Sequence, residues 1–224
     1  MPAKKTAKVA QPTNLKVAAS STPGVPTRTP GKLQKYFPWA LVTGGLIGLV
    51  AAFVLMVEKV AVLKDPTHVP SCNINPILAC GSVIDTPQAS AFGFPNPMLG
   101  LIGFTAVIVV GVSLLAGMRI AKAWYWRTFW AGTIFGVGFI HWLFFQSVYR
   151  IGALCPYCMA VWVVTIPIFW YTTLWMFREG HLPTPRGWDR TVAFATVNHL
   201  GILLSWYLVI IGLILYHFWY YFGI

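Results

Sequence analysis

The segment Phe37 to Val57, FPWALVTGGLIGLVAAFVLMV, carries no charged residue and no helix breaker after Pro38. Its length matches the roughly 20 residues needed to cross a hydrocarbon core. In lipid the backbone of such a run must satisfy its own hydrogen bonds, so the run is expected to be a helix. Working outward, four more apolar runs follow: Pro97 to Gly117, Thr128 to Val148, Pro156 to Phe177, and a stretch within Val192 to Tyr220. Asn96 before Pro97 reads as an N-cap with proline at the first helical position. Pro167 is expected to kink the fourth run. The last stretch exceeds one membrane thickness, which puts Asn198 and His199 near an interface. The fold class predicted is an all-α integral membrane protein, with a four-helix transmembrane bundle and a fifth, peripheral transmembrane helix. The composition agrees: 57% of residues are hydrophobic and 9% charged, where a soluble domain has about a quarter charged.

Charge placement gives the orientation. The net charge is +11, but it is not gathered into a folded basic surface of the kind that binds nucleic acid. Seven of the sixteen Lys and Arg lie ahead of the first run; three more sit between the second and third runs (Arg119, Lys122, Arg127) and three after the fourth (Arg178, Arg186, Arg190). Only Lys59, Lys64 and Arg150 fall on the other side. The positive-inside rule then puts the N-terminus in the cytoplasm, with membrane lipid as the surrounding partner and no nucleic acid. The organisation expected is a disordered basic cytoplasmic tail at 1–35, a bundle at 36–178 with an extracytoplasmic loop at 58–96, and a cytoplasmic loop plus fifth helix at 179–224. The first run is too long to be the core of a cleaved signal peptide.

This topology places Cys72, Cys80, Cys155 and Cys158 outside, where disulfides form and persist. Cys155-Pro156-Tyr157-Cys158 is a C-x-x-C motif opening a helix. Positions i and i+3 share a face, and a helix N-terminus favours the thiolate, Cys155 more than Cys158. Cys72 and Cys80 lie on a long outer loop whose flexibility would let it reach different neighbours. Four cysteines allow three pairings. Two structural disulfides would need nothing more, and a four-cysteine zinc site is disfavoured by the wide step between Cys72 and Cys80. A redox relay is the third reading, with a soluble thiol partner above and a lipid-soluble electron acceptor beside the C-x-x-C. His141, inside the third run, is weighed as an interhelical hydrogen bond against a proton relay. Arg150 is weighed as an interfacial anchor against a stabiliser of anionic charge. Lys64, Asp65 and Asp85 read as solvated loop charges.

Taken together, Cys72 and Cys80 followed by Gly81-Ser82, then Phe92-Gly93-Phe94-Pro95-Asn96-Pro97 with Gly100, then Cys155-Pro156-Tyr157-Cys158 closely resemble the vitamin K epoxide reductase family, and within it a bacterial homologue. The resemblance covers about Phe37 to Phe177. It implies a bundle enclosing a quinone of the menaquinone or ubiquinone type, with no metal. It also implies an active-site pair Cys155–Cys158 with Cys158 nearest the quinone. Cys72–Cys80 would be a shuttle pair that takes electrons from a thioredoxin-fold (DsbA-type) extracytoplasmic protein. That protein is expected to be separate, because no thioredoxin-like domain follows the fifth run. Asn96 matches the asparagine that bonds a quinone carbonyl. Trp162 stands where vertebrate members carry a tyrosine, and its indole N–H can donate in place of a phenol. Phe94, with Phe92 and Pro95, is weighed as an apolar lid over the quinone against burial of that loop in the interface. The activity implied is quinone-dependent thiol oxidation in a bacterial cell membrane. The rival readings are reduction of vitamin K quinone or its epoxide at the same cysteines, and a non-catalytic subunit braced by structural disulfides.

Overall fold

The computed structural model describes residues 32–118, 122–182 and 187–222. The tail expected to be disordered lies outside the described residues as far as position 31; beyond it the chain is already helical. Helix α1 runs Lys32–Lys64, α3 Pro97–Leu115, α4 Ala123–Phe145, α5 Pro156–Arg178 and α7 His199–His217. Each is long and apolar enough to cross a membrane, and the chain is a multi-pass membrane protein. Between them lie the short outer helix α2 (Cys80–Ile84), a 3-10 turn at Pro87–Ser90, α6 (Asp189–Val197) and a terminal turn, α8 (Trp219–Phe222). A π-helical turn, Gln146–Ile151, continues α4.

The first span differs from its expected bounds at both ends. It begins before Phe37 and continues past Val57 for almost two turns, so the outer loop starts at Asp65 rather than Glu58. Residues 58–64 contain no helix breaker, and Pro66 is the first residue that forces its predecessor out of helical geometry. The extension carries Glu58 and Lys59 outward on a rigid helix.

Helix α1 is the hub, packing along α3 and against α5, while α4 packs on α5. Small residues make the close approach of α1 and α3 possible. A Cβ at Gly48 would run into the Phe104 ring, and one at Gly111 would meet Val42, Leu41 and the Pro38 carbonyl. Without a hydrophobic driving force between helices in lipid, such close backbone contact is a main source of association. At the end away from the cysteines, Phe37 stacks on Trp175 at 5.4 Å, and Trp175 packs against Trp126. In contrast, α3 and α4 barely touch, and a cavity fills the space between them.

The fifth run, read as one stretch from the sequence, divides at Asn198 into α6 and α7. None of the residues of α7 is buried; it lies on the outside of α4 and α5.

Candidate functional site

Cysteine chemistry and an apolar cavity meet at the outer end of the bundle. The loop carrying the first pair is not a free arm. Leu78 and Leu154 form an isolated parallel β-bridge. Leu154 N–H donates to Ile77 O at 2.7 Å, and Ala79 N–H donates to Leu154 O at 3.0 Å. The residues next to these two strands' ends are Cys80 and Cys155. Each buried backbone group here finds a partner in the opposite segment, so the bridge fixes the register of the two cysteines. Asn75 Oδ1 accepts from the N–H of Ile77 and Leu78, and Asn73 Oδ1 accepts from Gly81 N–H.

Consecutive residues of α1 hold both flanks of the loop pair. Glu58, buried, accepts from Ser71 N–H at 3.2 Å and Ser71 Oγ at 2.6 Å, and pairs with His68 Nε2 at 2.9 Å. Lys59 Nζ donates to Ile84 O at 2.8 Å, at the C-terminal end of α2. The expected flexible carrier is therefore a docked cap, because its polar groups are spent on α1 and on the turn before α5.

Cys72 and Cys80 are joined by a disulfide, while Cys155 and Cys158 are free thiols. The Sγ atoms of Cys80 and Cys155 lie 3.0 Å apart, both fully buried. Gly152, at φ 70°, turns the chain from the π-helical segment toward Cys155 in a backbone region that suits glycine. Cys155 then occupies the N-cap position of α5, with Pro156 in the first turn. Its thiol is held below the usual range, first by the neighbouring Cys158 thiol and then by the backbone N–H groups of Cys158 and Tyr157, against the opposing effect of burial. Cys158, one turn on, lines the cavity; Cys155 does not. The sulfurs of Cys72, Cys80 and Cys155 lie within 4.8 Å of one another. Two of them share a disulfide and so are not thiolate ligands, and the arrangement has the look of a redox disulfide site.

The cavity has a volume of about 420 Å³ and is almost entirely apolar. That matches the usual pocket for a small hydrophobic ligand oriented by a few polar groups, and an aromatic head group with a lipid tail fits it by size and by chemistry. Helix glycines Gly103, Gly132 and Gly136 widen it between α3 and α4. Among its polar lining groups, Thr133 and Thr165 are spent on carbonyls of their own helices. Trp162 is buried, edge-on to Phe144 at 5.2 Å, and Ser147 is buried on the π-helical turn. Neither the Trp162 indole N–H nor the Ser147 hydroxyl has a hydrogen-bond partner among the described residues, and both residues line the cavity.

Asn96 also lines the cavity but does not cap α3. Its Nδ2 donates to Gln88 O at 2.7 Å and its Oδ1 accepts from Ala91 N–H at 3.0 Å. The loop before α3 bends back and claims the side chain; one amide hydrogen is left over. Phe94 is not among the lining residues. It stacks on Phe92, which packs on Phe139 and Phe135 of the cavity wall. Arg150 is exposed, His141 is half-buried, and neither lines the cavity. His141 Nε2 accepts from Trp206 Nε1 at 2.9 Å, leaving Nδ1 to donate to Val137 O at 2.7 Å. One nitrogen of this ring thus ties α4 to α7, and the other is spent within α4. Sequence reasoning missed Lys59, Ser147 and Gln146 as cavity residues; nothing in their local pattern marks them.

No curated protein sequence matches the chain. The model of the vitamin K epoxide reductase family does match it, over residues 39–173. Those residues include α3, α4, the capping loop, all four cysteines and most of α1 and α5, so the cysteine site lies wholly within the match. By this match the chain is a thiol–disulfide oxidoreductase that belongs to the vitamin K epoxide reductase family.

Proposed function

We propose that the protein is a quinone-dependent thiol oxidase of the outer membrane face. It takes electrons from a reduced thioredoxin-fold protein and so supports disulfide formation in secreted proteins. The observation that carries this reading is the 3.0 Å approach of Cys80 to Cys155, with Cys158 turned to the cavity. A purely structural brace needs no contact between pairs, and no free C-x-x-C beside an apolar pocket.

Each protein step is attack by a thiolate on a disulfide sulfur. The partner dithiol reduces Cys72–Cys80, with Cys72 taking the transient link, and leaves as a disulfide. The Cys80 thiolate then attacks Cys155 of an oxidised Cys155–Cys158 pair and releases Cys158. Attack by Cys72 on Cys80 restores the loop disulfide and frees Cys155. The result is the arrangement described above: a closed loop pair and a loaded dithiol beside the cavity. When Cys155 and Cys158 close again they give up two electrons and two protons. A quinone in the cavity supplies the two-electron, two-proton acceptor. Trp162 and the remaining amide hydrogen of Asn96 are the donors for its carbonyl oxygens, and Phe92 and Phe94 cover the wall behind.

The test is reduction of a short-chain quinone by the purified protein with a reduced thioredoxin-fold donor, followed by quinone absorbance. Cys72→Ala should abolish donor-driven reduction, and Cys158→Ala should abolish quinone reduction however much reduced donor is supplied. Quinone reduction at the original rate in Cys158→Ala would sink the proposed order. Conversion of vitamin K epoxide at a comparable rate would favour the reductase reading.

A further inference from the structure

Closing the Cys155–Cys158 disulfide pushes negative charge onto acceptor oxygens before both protons arrive. A cavity this apolar stabilises that charge poorly unless a fixed cation or donor stands nearby. Among the described lining residues there is one charged side chain, Lys59. It comes from the part of α1 that runs past the expected end of the first span, and it is half-buried.

Three observations bear on its role. Lys59 Nζ is fixed by its bond to Ile84 O, and Ile84 itself lines the cavity, so the ammonium is tied to the cavity mouth. It makes no ion pair among the described residues. Glu58 is adjacent in sequence, but neighbouring positions on a helix point in different directions, and its carboxylate is taken up by Ser71 and His68. Lys59 therefore has no carboxylate within ion-pairing distance among the described residues. Arg150, the other cation near the active-site turn, does not line the cavity.

We propose that Lys59 is the charge-compensating cation of the acceptor site, favouring the anionic over the neutral form of a bound quinone. This rests on the quinone reading above. An ammonium has three donors, so the bond to Ile84 O leaves two for a ligand oxygen.

The discriminating experiment is equilibrium binding to the purified protein of two probes of similar shape. One is 2-hydroxy-1,4-naphthoquinone, an enolate anion at neutral pH; the other is 2-methyl-1,4-naphthoquinone, which is neutral. Lys59→Gln should weaken the anionic probe by about tenfold or more, the scale of one lost charge-assisted bond. The neutral probe should change far less, and Lys59→Arg should keep the preference for the anion. Equal weakening of both probes in Lys59→Gln would overturn the proposal and reduce Lys59 to a tether for the loop. An unchanged anionic probe would overturn it as well. If neither probe binds the unsubstituted protein while the cysteine pairing is intact, the quinone reading itself falls, and this inference with it.

Discussion

At the scale of single residues, the site separates two tasks that a C-x-x-C motif alone leaves tangled. Cys155 faces a sulfur and Cys158 faces the cavity. Helix-end physics favours Cys155 as thiolate, whereas the family resemblance puts Cys158 next to the quinone; in this geometry the two statements do not conflict. In the proposed relay Cys155 is the exchanging sulfur, and it benefits from being ionised when it meets Cys80. Because its thiol is held below the usual range, first by Cys158, the thiolate forms on raising the pH earlier than in a free cysteine. We expect a titration of thiolate ultraviolet absorbance in the dithiol state, taken as the difference from Cys155→Ser, to have its midpoint below that of an ordinary cysteine thiol. Cys158→Ala should move that midpoint up toward the ordinary value. A midpoint at or above it in the original protein would show that burial outweighs the helix start. Asn96 is a case where local rules mislead at this scale: the residue suits an N-cap, yet the preceding loop folds back and takes its amide.

At the scale of elements, α7 has a definite task that its sequence does not advertise. Pro167 lacks an N–H, so the carbonyl four residues earlier, Val163 O, has no partner within α5. Tyr207 of α7 donates its hydroxyl to that carbonyl at 2.6 Å. Two further ties run between the same elements and α4: Trp206 to His141, and Trp170 Nε1 to His199 O at 3.2 Å. In a membrane no water replaces such bonds, so α7 latches the proline-containing helix that carries Cys158, Trp162 and Thr165. Tyr207→Phe keeps the ring and removes only the donor. It should destabilise the protein by about 1–3 kcal/mol, the cost of one acceptor left unsatisfied away from water, read as a lower thermal midpoint in detergent. Tyr207→Phe in a chain that already lacks the need for the bond, Pro167→Ala, should cost clearly less. Equal losses in both backgrounds would mean the hydroxyl does not serve the proline site.

At the scale of the whole molecule, five spans and the distribution of Lys and Arg imply one orientation, with the cysteines outside. A cysteine placed at exposed Thr67 should react with a membrane-impermeant maleimide in intact cells, and one at exposed Asp189 only after permeabilisation. The opposite pattern would invert the topology and remove the oxidising compartment the relay needs. The spans and their order were legible in the sequence, while the partnership of the cysteines came with the family resemblance. Membrane thickness fixes the length of an apolar run, and lipid leaves helix as the only conformation for it. Boundaries were less legible: α1 overshot its apolar run because nothing after Val57 breaks a helix, and that overshoot delivers Lys59 to the cavity. The sequence by itself determined that this is a membrane bundle with two cysteine pairs on one face, and its motifs carried the family. Only the tertiary structure decided that Cys80 touches Cys155 across 75 positions, that the loop is a docked cap, and that α7 completes the hydrogen bonding of α5. The reason is physical: periodicity and hydropathy report what each segment does against lipid. Contacts between distant segments depend on a β-bridge at Leu78 and Leu154, a buried Glu58 and a proline inside α5, each of which acquires its partner only when the helices come together.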